Sequence, residues 1–349
     1  MIDIKLLEQL CLCNGISGDE GNVRNLIINE IKDCADDIKT DNLGNLIVFK
    51  KGKKSAKSKL MVSAHMDEVG LMVTDITSDG YLKFDEVGGI DRRVLPGKRV
   101  CVGRNGLNGV IGVKPIHLTN GDEKTAVPKM SDMYIDIGAE SREDALKYVN
   151  YGDGINFEGD FKINGKTVVT KALDDRFGCY VLINLIKSEP EYDMYFTFVV
   201  QEEVGLRGAR PAAFTVNPDF ALVIESTTAA DVAEVDASHQ VCNLSKGATV
   251  TVMDRATVYD KEMISAAFEL AEKNNIAVQY KRAVAGGNDS GAIHQSRGGV
   301  RTLAVSLPSR YIHAPSTAAN LDDCESVLKL AKVLSNYIAG GNLVKGKTV

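Results

Sequence analysis

Five stretches of the chain set imidazole or carboxylate groups beside apolar runs of strand type. Leu60-Met61-Val62-Ser63-Ala64 ends in His65-Met66-Asp67, and Met194 to Val200 leads into Gln201-Glu202-Glu203. Phe220 to Ile224 ends in Glu225, and Val300 to Leu307 is followed shortly by Tyr311-Ile312-His313. Asp174-Asp175 stands between Val168-Val169 and the start of a helical pattern. In open α/β sheets, sites form beyond the carboxyl ends of the strands, so residues far apart in sequence can converge there. Histidine and carboxylate ligands suit zinc, cobalt or manganese, with no thiolate needed. Two such ions about 3.5–4 Å apart share a bridging carboxylate or water. A hydrolase needs one further, unligated carboxylate to accept a proton. The set supplies all these parts with one carboxylate to spare.

Each element alone is weak. A lone His-x-Asp is common, Glu-Glu after a strand is usually a solvated turn, and Asp-Asp before a helix often only caps it. The specificity lies in the ordered set. The other histidines are assigned to no metal: His117 reads as structural or chamber-facing, His239 as exposed, His294 as packed on a short helix. Gly88-Gly89 and Gly286-Gly287 lack the context of a phosphate loop.

The elements that must position these groups follow from periodicity. Ile4, Leu6, Leu7, Leu10 and Cys11 form a helical stripe. Ser17-Gly18-Asp19-Glu20 has the spacing of a capping box, ahead of a second helix reaching about Cys34. From about residue 70 to 164, short β-type runs alternate with glycines, broken by one helical stretch around Ser141 to Val149. This predicts a small β-rich domain, barrel-like, inserted into an α/β domain. The α/β rhythm then resumes, with helices predicted from Asp175, over Lys261 to Lys273, and from Asp323 to Ile338. The expected fold is a mixed, largely parallel sheet flanked by helices. Residues 1–69 and 165–349 would form the α/β domain, and 70–164 the inserted β-rich domain.

Composition narrows the function classes. The chain has 349 residues, 44% hydrophobic and 25% charged, which is ordinary for a soluble protein too long for one core. A net charge of −6 and the lack of a basic stripe argue against a nucleic-acid partner. Lys51, Lys53, Lys54, Lys57 and Lys59 read as an exposed turn between two strands. The cysteines number seven, with no CxxC pair, so neither a disulfide framework nor a thiolate zinc knot is expected. No apolar run approaches the roughly 20 residues of a membrane span. The N-terminus MIDIKLLEQL carries charges where a signal peptide needs an apolar core, so a cytoplasmic location is expected.

Four motifs carry a resemblance to a known family. His65-Met66-Asp67-Glu68-Val69-Gly70, Ala172-Leu173-Asp174-Asp175-Arg176, Gln201-Glu202-Glu203-Val204-Gly205-Leu206-Arg207-Gly208-Ala209 and Arg310-Tyr311-Ile312-His313-Ala314-Pro315 resemble the M42 metallo-aminopeptidases. That family includes tetrahedral aminopeptidases and proteins labelled glutamyl aminopeptidase or endoglucanase M. Gly286-Gly287-Asn288-Asp289-Ser290-Gly291 resembles the family's GGTD-type loop, and the β-rich insertion has its counterpart there. The resemblance covers nearly the whole chain and implies two divalent ions (Zn, Co or Mn) per subunit. His65, Asp174 and Glu225 would hold one; Asp174, Glu203 and His313 would hold the other, making Asp174 the bridge. Glu202 would be the general base on a metal-bridging water. Asp67 would orient the His65 imidazole. Asp175 would follow the bridge across a peptide bond that is often cis in such sites. Many relatives carry Asp where this chain has Glu225, and Asp231 is the nearest substitute candidate. The resemblance also implies release of N-terminal residues from short peptides, and a homo-oligomer, a tetrahedral dodecamer with its sites facing an inner chamber. It would make the α/β domain the catalytic one and give the inserted domain, 70–164, an oligomerisation or lid role.

Two other function classes are weighed against this. A glycosidase needs two carboxylates flanking a sugar bond, and this chain has no Trp for aromatic platforms. A silent scaffold on the same fold would not need the set Asp67, Glu202 and Glu203. A metal-dependent amidohydrolase acting on non-peptide amides is harder to separate. An acidic-residue preference would need a buried cation, for which Arg207, Arg255 and Arg310 are candidates.

Overall fold

The structure is a computed structural model and describes residues 2–344. The outer limits expected for the catalytic segment, residues 1 and 345–349, lie outside the described residues. The chain opens with helices α1 (Ile4–Leu12) and α2 (Gly21–Ile31), followed by strands β1 (Asp37–Thr40), β2 (Leu46–Lys50) and β3 (Leu60–His65). Six strands follow: β4 (Gly70–Ile76), β5 (Leu82–Val87), β6 (Arg99–Val102), β7 (Leu107–Gly112), β8 (Tyr134–Asp136) and β9 (Gly154–Phe157), with helix α3 (Arg142–Ala145) between the last two. Then come β10 (Lys162–Asn164), β11 (Thr167–Thr170), α4 (Leu173–Lys187), β12 (Met194–Val199), α5 (Ala209–Val216), β13 (Phe220–Thr228) and β14 (Ala248–Val250). The last elements are α6 (Lys261–Lys273), β15 (Val278–Tyr280), α7 (Ser290–Ile293), β16 (Arg301–Arg310), β17 (Thr317–Asn320) and α8 (Leu321–Ala339).

Strands β4 to β9 close into an antiparallel barrel in the order β4-β5-β8-β7-β6-β9. Alternate residues point inward in such a barrel. Leu71 and Val73, Leu82 and Phe84, Val100 and Val102, and Ile155 and Phe157 accordingly fill a core of its own. The remaining strands form one mixed sheet whose main path runs β1-β2-β12-β3-β13-β16-β17-β11-β10. Its centre is parallel: β12 pairs with β3, β3 with β13, and β13 with β16. Every residue of β3 is buried, which is why its sequence is a continuous run rather than an alternation. Helix α4 packs on β3 and β13 and is itself contacted by α1, α2 and α8, so most of its length is buried. The expected mixed, largely parallel sheet with an inserted barrel is therefore the observed fold.

Three local expectations are corrected. Ser17 to Glu20 form no capping box: α2 starts at Gly21 without a side-chain cap, because the Ser17 hydroxyl donates to Asp67 Oδ2 at 2.6 Å. Glu20 instead accepts from the Gly18 and Gln201 amides at 2.7 and 3.1 Å. The helix expected around Ser141 to Val149 is only four residues long, Arg142–Ala145. Strand β13 continues past Ile224 to Thr228, since its pairing with β16 runs on through Thr228 opposite Ser309. Glu225 thus lies within a strand. The lysine run 51–59 joins β2 to β3 and is mostly exposed, as expected. Among the described residues no helix is long and apolar enough to cross a membrane.

Candidate metal centre and active site

The four adjacent parallel strands β12, β3, β13 and β16 end along one edge of the sheet. Val199 stands opposite His65, so the turn Gln201-Glu202-Glu203 leaves the sheet beside the end of β3. Glu225 stands opposite Ser306, and His313 follows the end of β16. Asp174 enters from the first turn of α4, where φ and ψ are extended rather than helical. The Asp174–Asp175 peptide is cis. Ala172, Gln201, Tyr311 and His313 all have φ between 53° and 60°. A non-glycine residue in this left-handed region is held against about 1–3 kcal/mol of strain. Four of the twelve such non-glycine residues among the described residues thus flank the emerging polar groups.

Asp174 lies at the centre. Its Oδ1 is 3.4 Å from His65 Nε2, and its Oδ2 is 3.3 Å from His313 Nε2. His313 Nε2 is also 3.3 Å from Glu203 Oε2. Ligand atoms of His65, Asp174 and Glu203 lie within 4.8 Å of one another. Asp174 Oδ1 and Glu203 Oε1 are buried and have no hydrogen-bond partner. Ligands about 2.0–2.1 Å from a tetrahedral ion stand about 3.3–3.4 Å apart, which matches the His–Asp and His–Glu separations. The donor set therefore fits a divalent metal. Glu202 and Glu225 line the same cavity, of about 140 Å³. A larger open groove of about 720 Å³, between Val258–Glu262 and Gly298–Thr302, holds no such cluster.

Electrostatics point the same way. Burial, helped by the neighbouring Asp174 charge, pushes the Glu203 carboxyl up to about 8. Burial likewise raises Glu202 and Glu225 well above the ordinary carboxylate range. For His313, burial pulls the imidazole down, but Asp174 and Glu203 outweigh it and hold it at about 9. Burial opposes ionisation of Asp174, yet its two imidazole neighbours keep it well below the usual range. So many buried carboxyls cannot all ionise side by side without cations among them.

The surrounding contacts fix the groups in place. His65 Nδ1 is 3.1 Å from the Asp67 carbonyl and 3.6 Å from its carboxylate, so the backbone is the nearer partner. A proton on Nδ1 donated there leaves Nε2 free as a ligand. The Asp67 carboxylate instead accepts from the amides of Glu202 at 3.0 Å and Glu203 at 3.1 Å, and from Ser17. The backbone of His65 is held by Asp175 Oδ2, which accepts from its amide at 3.2 Å. The Cys179 thiol, 3.1 Å away, donates to its carbonyl. Asp175 Oδ1 accepts from the Gly178 amide at 2.9 Å. A Cβ at Gly178 would stand 2.3 Å from Asp175 Oδ2. Gly178→Ala should therefore cost about 1–3 kcal/mol of overpacking, seen as a lowered thermal midpoint; an unchanged midpoint would mean that Asp175 is free to move.

Two residues of the site escaped the sequence reading of ligands and cations. Asp289, in the glycine-rich loop, is buried, and neither of its carboxylate oxygens has a partner. Its amide donates to Glu225 Oε1 at 3.3 Å, and burial raises its carboxyl to about 7. The loop's likeness to a family motif was the only signal for it. Lys281 lines the cavity, and nothing in its local sequence marks it. Asp231 does not reach the cluster: it pairs with Arg310 at 2.8 and 3.0 Å. His117 and His239 are exposed, and His294 is half-buried against the Ser290 carbonyl.

Fold and cluster together define a metal-dependent hydrolase with an inserted barrel. The M42 glutamyl aminopeptidase family matches residues 44–330. The chain belongs to this family and is an aminopeptidase. It is 34% identical over 346 residues to the lysyl aminopeptidase of Pyrococcus furiosus, covering 96% of this chain and 97% of that one. It is 32% identical over 318 residues to the glutamyl aminopeptidase of Lactococcus lactis, covering 88% of each. Among solved structures, the TET1 peptidase of Pyrococcus horikoshii superposes with a TM-score of 0.84 at 39% identity, covering 95% of this chain and 98% of that one. That peptidase is described as assembling into a tetrahedron or a large octahedral shell.

Proposed function

We propose that this aminopeptidase is dinuclear and removes N-terminal residues from short peptides, with Glu202 as its general base. The observation that carries this reading is Asp174, whose two oxygens face two different histidines. His65, Asp174 and Glu225 would hold one ion, and Asp174, Glu203 and His313 the other. Zinc, cobalt or manganese all suit such donors. When bound, the ions polarise the scissile carbonyl and the attacking water.

The chain's own groups do the rest. Glu202 accepts the proton of the attacking water and returns one to the leaving amine. Its burial raises its proton affinity, which suits a base working near neutral pH. Asp67 fixes the Glu202 and Glu203 amides, which places the base beside a ligand. The inserted segment 70–164 would make contacts between subunits of a dodecameric shell enclosing the sites, as the TET1 peptidase's described tetrahedron supports. All seven cysteines are unpaired, which supports the cytoplasm as the compartment.

A panel of aminoacyl-nitroanilides, with Zn, Co or Mn restored to chelated protein, tests this reading. Turnover of free-amine substrates is expected, together with loss of activity on chelation. Turnover of N-blocked substrates alone would transfer the site to amidohydrolase chemistry, and none with any metal would reject it.

A further inference from the structure

Lys281 is 8% exposed and lies one residue beyond β15. Its ammonium donates to the Ala285 carbonyl at 2.7 Å, and among the described residues no carboxylate forms an ion pair with it. It lines the same cavity of about 140 Å³ as His65, Asp174, Glu202 and Glu225. The other walls there are short and polar, Thr227, Thr228 and Ser306 among them, with Ile312. The arginines that sequence offered are not available: Arg310 is paired with Asp231, and Arg207 and Arg255 are exposed and do not line the cavity.

A buried ammonium costs free energy unless an opposite charge meets it. Burial lowers the Lys281 ammonium from its ordinary value, while the negative fields of Glu225, Asp254 and Asp174 partly restore it. Two of those three are proposed metal ligands, so bound ions would draw off much of that compensation. Asp254 is occupied by the Tyr259 hydroxyl and the Ala256 and Thr257 amides. A substrate carboxylate entering the cavity would supply the missing partner. A small polar cavity suits the short side chains of Glu and Asp.

We infer that Lys281 sets the choice of substrate, directing the site to peptides whose N-terminal residue carries a side-chain carboxylate. The inference rests on the aminopeptidase reading and names its substrate class. Family membership does not decide the matter, since relatives are named for glutamyl and for lysyl substrates alike.

The test compares glutamyl, glutaminyl, leucyl and lysyl nitroanilides on the metal-loaded enzyme. Glutamyl and glutaminyl substrates match in shape and differ in charge, so the wild-type enzyme tests the idea without any variant. A kcat/KM ratio of at least about 30 in favour of Glu over Gln is expected, as for an unmatched buried charge. In Lys281→Met that ratio should collapse toward one, and Lys281→Arg should restore part of it. A wild-type Glu-to-Gln ratio near one, a preference for lysyl or leucyl substrates, or a ratio kept in Lys281→Met would each overturn the inference while leaving the aminopeptidase reading intact. Absence of turnover with every substrate would overturn both.

Discussion

Glu202→Gln lowers kcat by on the order of 10²–10⁴-fold, the usual contribution of a positioned general base. The substitution keeps the shape of the side chain, and the Glu202 amide still donates to Asp67. It removes only the capacity to take a proton. Metal content, read by elemental analysis, should stay at the wild-type level, because Glu202 is not among the proposed ligands. That separates loss of a base from collapse of the site. A variant within about threefold of wild type would move the base elsewhere, with Asp289 the next buried carboxylate in reach of the cluster.

Asp174→Ala abolishes measurable turnover and removes the stabilisation that metal confers. For the wild-type protein, an ion at about 100 times its dissociation constant adds about 2.7 kcal/mol. Thermal unfolding with and without Zn, Co or Mn reads that increment directly. Asp174 is the single carboxylate between His65, His313 and Glu203, so its loss cuts both proposed ion sites at once. The metal-free variant should also be less stable than metal-free wild type, because His65 and His313 lose the buried carboxylate they face, so the increment on adding metal is read within each protein. An Asp174→Ala protein whose midpoint still climbs on adding metal would mean that the ions sit on other residues.

Much of the architecture was legible because burial leaves a mark on composition. Strands β3, β12, β13 and β16 are apolar runs, since both faces of the sheet are covered. The span expected for helix α6 from its apolar stripe agrees with the observed Lys261–Lys273, while the Asp260 cap, which accepts from the Glu262 and Met263 amides, emerged only in the structure. Strands such as β14, β15 and β17 were not, because three or four residues become a strand through their partners rather than their own types.

The site divides in the same way. The residue types and their place after strands were visible in the sequence. The distances were not, and neither were partners set by long-range packing. Ser17 has capping-box spacing, yet its hydroxyl goes to Asp67, fifty positions away. Lys281 looks like any lysine after a short strand until the fold closes a cavity around it.

One contact ties the two cores of the molecule together. His313 Nδ1 faces the Gly89 carbonyl at 3.1 Å, and Gly89 lies on the loop that follows β5 of the barrel. The ring orientation of a proposed ligand is thus set by backbone from the other folding unit. Any tilt of the barrel against the sheet turns that imidazole, and with it the affinity of one ion site. In the proposed assembly, subunit contacts on the barrel would therefore bear, through the Gly89 carbonyl, on one of the proposed ion sites.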